Sequence, residues 1–179
     1  MSRVRRFYAW MSRPAVVVKV AVVGASLLAF VTFLSTLQLD INGSRSHYAT
    51  DVGEIQNALP RWGIIHFNGY PLYSMLGSVF VTVFRLLGVQ PATSASLFSA
   101  IWGAIGVGVL VALILFFEVP PSVAAVVAFL FALSTSVWVD ASIAEVHTMT
   151  VALTFGTLLA ALHFRRSGQR RDLFWLAFL

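Results

Sequence analysis

The sequence predicts an all-α fold, a polytopic bundle of transmembrane helices, and three observations predict it. Hydrophobic residues make up 59% of the 179 positions and charged ones only 11%, with a mean hydropathy of +0.86; soluble domains carry about 25% charge. Several runs stay apolar over the roughly 20 residues that a helix needs to cross a hydrocarbon core about 30 Å thick. The arginines gather at the ends of these runs, not within them.

Taken in order, residues 1–13 form a basic tail with Arg3, Arg5, Arg6 and Arg13, and residues 14–38 form the first span, with Lys19 close enough to its end to snorkel. That run exceeds the roughly 7–15 residues of a signal-peptide core, and no clear A-x-A cleavage site follows it, so it reads as an uncleaved anchor. Residues 39–91 form a loop. Within it, 72–87 is an amphipathic helix of about 24 Å, short of a crossing. Ser74, Ser78, Thr82 and Arg85 make a narrow polar stripe on it, among Leu72, Leu76, Val79, Phe80, Val83 and Leu87. The expectation is a helix in the membrane interface with its hydroxyl stripe turned to the polar side. Spans follow at 92–117 and 120–139, joined by a tight turn before Pro120 and Pro121, and at 143–164. Residues 165–171 form a basic loop with Arg165, Arg166, Arg170 and Arg171, and 172–179 begin a further span. The chain thus reads as one transmembrane domain, the N-terminal part of a larger protein.

The positive-inside rule places both arginine-rich ends in the cytoplasm, which requires an even number of crossings between them; four spans satisfy it. The N-terminus is then cytoplasmic and loop 39–91 extracytoplasmic. The net charge of +5 belongs to these membrane flanks, so lipids and not nucleic acid are the partner it indicates. With no cysteine in the chain, disulfides and thiolate metal sites are excluded. Ser96, Ala100, Ala104, Gly108 and Ala112 recur every four residues as a smooth ridge for close helix packing. The glycines of "GAIGVG" at 103–108 lack the dinucleotide-binding spacing.

This topology collects Asp40, Asp51, Glu54, Asp140 and Glu145, five of the seven acids, on the outer side. Ionisable groups at membrane depth are costly and mark sites or pathways. Asp40 and Asp140 taken singly read as solvated loop charges. Asp51 and Glu54 share one face of a helical turn and are followed by aromatic and turn residues that fold the loop back on the bilayer, which favours a site. At the start of the last complete span, Glu145 reads equally as a helix N-terminal residue and as a group facing a water-filled mouth of the bundle, whereas His147 taken by itself reads as a helix N-terminal residue.

"DVGEI", then "GIIHFNGYPLY", "LFSAIWGA" and "FALSTSVWVDASIAEVHTMT" resemble, in order and spacing, the transmembrane O-mannosyltransferases, a family of polytopic GT-C-type glycosyltransferases with a eukaryotic member and many bacterial relatives. The family pattern looks like D-x-G-E, H-P-P-G-Y-P-L, a small-residue helix, then F-W-x-x-A-x-x-A-E-V-Y-T-L. The resemblance covers about residues 45–165. Phe67 and Asn68 stand where the family has prolines and His147 where it has tyrosine; the acids are intact.

The resemblance implies a glycosyltransferase that moves a sugar, mannose by analogy, from a polyprenyl or dolichyl phosphate to a hydroxyl of a protein or other acceptor outside the membrane. It implies Asp51 as the base that takes the hydroxyl proton, with Glu54 as its catalytic neighbour. Arg61, His66, Tyr70, Glu145 and His147 are the candidates for binding donor and acceptor. The leaving phosphate needs cations or donors. Of Arg45, Arg61 and Arg85, the arginines of the outer loop, Arg61 beside Trp62 is the best placed, and each also reads as an anchor to lipid headgroups. His47, Asp51 and Glu54 would share a face if 47–54 were helical and could hold magnesium, manganese or zinc. Gly53 and the lack of a second histidine nearby weigh against this, so no metal or other cofactor is expected. Two further readings stand beside the enzyme: a transporter or lipid-binding module in which the acids line a substrate path, and an inactive truncated fragment.

Overall fold

The computed structural model describes residues 15–42, 50–66, 68–171, 174 and 175. The basic tail, Arg45, His47 and most of 172–179 lie outside the described residues. The described chain is a polytopic helical bundle: α1 (Ala15–Leu34), α2 (Thr50–Ala58) running into a 3-10 turn (Leu59–Arg61), α3 (Pro71–Leu86), α4 (Pro91–Phe116), α5 (Pro121–Ala132), α6 (Thr135–Ser142) and α7 (His147–Ser167). Proline opens α3, α4 and α5, where its fixed φ suits the first turn and its missing N–H leaves no bond unmade.

Helices α1, α4 and α7, of 20, 26 and 21 residues, reach about 30, 39 and 32 Å at 1.5 Å per residue. Among the described residues these three are long and apolar enough to cross a bilayer, and they make this a membrane protein. The expected uninterrupted helix over 120–139 is instead a bent pair. Helices α5 and α6 meet at 69°, because Ser134 leaves the helical region (φ −62°, ψ 140°) and its hydroxyl donates to the Phe131 carbonyl at 2.7 Å, a local bond that competes with the helical ladder. The next helix starts at His147 and not at 143, which leaves Glu145 in a link outside it.

Helix α4 is the axis, packed against α1, α3, α5, α6 and α7. Its ridge Ser96, Ala100, Ala104 and Gly108 is buried and Ala112 half-buried, as the four-residue spacing predicts. A β-carbon at Gly103 would meet Ala141 Cβ at 3.0 Å and the Phe33 ring at 3.1 Å, and one at Gly108 would collide with the Ser26 hydroxyl. Backbones approach closely there because van der Waals contact between small residues, not exclusion of water, holds helices together in lipid.

Helix α3 occupies the predicted residues, but the middle of its polar stripe is turned to protein, while Arg85 at its end is exposed. Ser78 is buried at 1% exposure with Tyr73 and Val81, while Leu72, Met75, Leu76, Val79 and Val83 are exposed. The apolar face is the exposed one, and Ser74 and Thr82 satisfy their hydroxyls on the Gly69 and Ser78 carbonyls.

Candidate functional site

The site is built on α2, whose sequence alternates two faces. Val52, Ile55 and Leu59 are fully buried in a cluster with Ile65, Tyr73, Phe98, Val146 and Met149. Gln56, on the buried side, accepts the Asn42 N–H at 2.7 Å and donates to the Gln38 amide and the Asp40 carbonyl. These contacts fasten α2 to the chain leaving α1 and to the end of α4, and they leave Asp51 and Glu54 on the open face.

After Arg61 the chain reverses. Trp62 takes a left-handed conformation (φ 56°), its N–H bonds the Leu59 carbonyl, and Gly63 N–H closes on Ala58 at 2.9 Å, the pattern by which a helix end satisfies its last carbonyls. Ile65 then returns to the core at 1% exposure. That anchor sets His66 beside Glu54: the His66 backbone N–H donates to Glu54 Oε1 at 2.7 Å and its Nδ1 lies 2.9 Å from Oε2. On the other side of the ring, Nε2 lies 4.0 Å from Asp51 Oδ2. The bond to Glu54 holds the His66 imidazole above its ordinary pKa, against the opposing effect of desolvation and with lesser help from the Asp51 charge.

The following turn is unusual in its backbone. Asn68, Gly69 and Tyr70 all have positive φ (92°, 66° and 39°), Gly69 N–H bonds the His66 carbonyl at 2.8 Å, and the Tyr70 ring meets His66 edge-on at 5.8 Å. Proline, fixed near φ −65°, cannot take the conformation Asn68 has. The sequence departure at 68 is therefore matched by a backbone of its own.

A second group lies across the bundle end. His147 Nδ1 is 3.5 Å from both Asp140 Oδ2 and Glu145 Oε2. Glu145 is buried, and the Ser99 hydroxyl fixes it by donating to its carbonyl and accepting its N–H, both at 2.9 Å. Burial raises the Glu145 pKa, the His147 charge opposes the rise, and Asp140 and Asp51 add to it. Glu145 also acts on His66, so the two groups lie in one electrostatic neighbourhood.

The structure therefore brings Asp51, Glu54, His66 and Tyr70 together and sets Glu145 and His147 beside them. It does not bring Arg61 to the acids: Arg61 is exposed on the 3-10 turn and forms no ion pair among the described residues. Two pairings escaped the sequence reading. His66 was expected to bind ligand and is the direct partner of Glu54, twelve residues away across the turn at Trp62 and Gly63. Asp140, read as a solvated charge, is a partner of His147.

A family model described as the protein O-mannosyl-transferase TMEM260 N-terminal domain matches residues 51–179, beginning at Asp51. No curated protein and no solved structure matches the chain.

Proposed function

The chain belongs to this O-mannosyltransferase family, and on that premise we propose that it transfers mannose from a polyprenyl or dolichyl phosphate to a serine or threonine hydroxyl of a protein outside the membrane. The acceptor oxygen bonds to the anomeric carbon, the bond from that carbon to phosphate breaks, and the lipid phosphate departs with the bonding pair. Asp51 takes the hydroxyl proton. The observation that carries this assignment is the unequal engagement of the two acids. Both oxygens of Glu54 are occupied by His66, whereas Asp51 is exposed and meets only His66, at 4.0 Å, among the described residues. Glu54 positions the imidazole and the turn that carries it; Asp51 has oxygens to spare for an incoming hydroxyl.

Asp51→Asn keeps the size of the side chain and removes the proton acceptor. Transfer of mannose from a synthetic prenyl-phosphate donor should fall by about 10² to 10⁴ with donor binding retained, and Glu54→Gln should cost less. Transfer by Asp51→Asn near the wild-type rate defeats the base assignment.

The reading also places loop 39–91 outside. In this cysteine-free chain, a cysteine at the exposed Asn57 should react with an impermeant thiol reagent on intact cells, and one at Ser167 should react only after permeabilisation. The opposite pattern moves the site to the wrong face of the membrane. The bend between α5 and α6 favours a second reading, since broken helices line ion and substrate paths in transporters; solute flux into proteoliposomes without any mannosyl transfer would support it.

A further inference from the structure

Resting on that reading, we propose that Asp51, Glu54 and His66 hold a divalent cation that neutralises the leaving phosphate. Each of the three offers one ligand atom, and these atoms lie within 4.8 Å of one another. Only one nitrogen of the ring can bind the ion. Two metal–ligand bonds of about 2.0–2.2 Å span up to roughly 4.3 Å between ligand atoms, so a set lying within 4.8 Å, one imidazole nitrogen included, closes on an ion with side-chain adjustments of about half an ångström.

The set is not a run of neighbouring acids. The two carboxylates come from successive turns of α2 and the imidazole from a different segment, which the chain reversal at Trp62 and Gly63 and the buried Ile65 carry back to them. Two oxygens and one imidazole nitrogen suit manganese or zinc better than the all-oxygen preference of calcium or magnesium. Three protein ligands with further positions open is the arrangement of catalytic, not structural, sites.

Charge supplies the reason for a cation. A phosphate leaving group is stabilised by positive charge aimed at the oxygen on which negative charge develops. Among the described residues no lysine or arginine pairs with Asp51 or Glu54, and Arg61 stands apart from them. A metal at this position faces the phosphate through its open coordination sites, and the second oxygen of Asp51 stays available to the acceptor hydroxyl.

The test uses the full-length protein in lipid nanodiscs and Mn²⁺ alone, followed by electron paramagnetic resonance. One Mn²⁺ should bind per chain. Asp51→Asn and His66→Gln, each near its parent in size, should weaken binding at least tenfold, and Glu145→Gln should leave it within a factor of about three. Absence of stoichiometric Mn²⁺ or Zn²⁺ binding, or binding unchanged in both Asp51→Asn and His66→Gln, overturns the proposal. Mannosyl transfer measured with and without a chelator separates this proposal from the one beneath it. Transfer that depends on Asp51 but ignores the chelator keeps the transferase and removes the metal. Mn²⁺ binding that follows the variants in a protein that transfers no mannose keeps the metal and removes the transferase.

Discussion

Two trios of the same composition, an aspartate, a glutamate and a histidine, lie within reach of each other's charge and are built in opposite ways. In Asp51, Glu54 and His66 the side chains are 53%, 39% and 40% exposed, and in Asp140, Glu145 and His147 they are 29%, 11% and 64% exposed. The first trio gives its imidazole to one carboxylate and leaves the other open. The second sets its imidazole 3.5 Å from both carboxylates, beyond the range of a good hydrogen bond, and hides the carboxylates beneath it. Identical chemical groups thus yield an open acid in one place and, in the other, a brace across the link between α6 and α7. The difference comes from the supports. Helix α2 is exposed along one face, whereas the link 143–146 is fastened to the central helix by Ser99.

The comparison breaks most visibly in turnover. Asp51→Asn should reduce mannosyl transfer at least about 10²-fold more than Asp140→Asn, the lower bound of what a general base contributes; equal losses would show that exposure does not separate the roles. Stability should divide the other way. Ser99→Ala strands the Glu145 amide and carbonyl in a buried place and should cost about 1–3 kcal/mol in reversible unfolding from mixed micelles, while His66→Gln on the exposed trio should cost less.

The smallest effect sharpens the buried side of the contrast through pH. The Glu145 pKa is raised above 4.5 by burial, so the folded state holds that proton more tightly than the unfolded one. The stabilisation is complete below the unfolded value and disappears as pH rises through the folded value. Glu145→Gln removes the dependence. Its melting temperature should exceed that of the parent by on the order of 2 °C at pH 8, and the gap should close towards pH 4.5. A constant gap across that range would mean that the carboxylate does not titrate differently in the two states.

Much of the bundle was legible because lipid imposes a length on apolar runs: α1, α4 and α7 lie within the predicted spans to a few residues. The ridge from Ser96 to Gly108 was legible because close packing demands small side chains at one period. The bend at Ser134 was not. Hydropathy continues through "FALSTSVWV" and averages away the cluster of hydroxyl residues that offers the backbone other partners. The orientation of α3 was misread for a related reason: a polar stripe on a soluble helix faces water, but here its central Ser78 turns to protein while Leu72, Met75 and Val79 are exposed. In the site, Asp51 and Glu54 were visible as neighbours on a turn. The arrival of His66 depends on a left-handed tryptophan, and nothing in the identity of Trp62 announces one.

The conformation of Asn68 bears on how this protein exchanges parts with its relatives. A loop is interchangeable as a cassette only where donor and recipient share backbone dihedrals at the junctions, and at φ 92° position 68 is closed to a proline ring. The family's proline-containing segment, grafted between Ile65 and Pro71, therefore has to run along another path. That path also carries His66, so a transplant chosen to restore the common motif would have to re-form the contact between the imidazole and Glu54 from a different backbone.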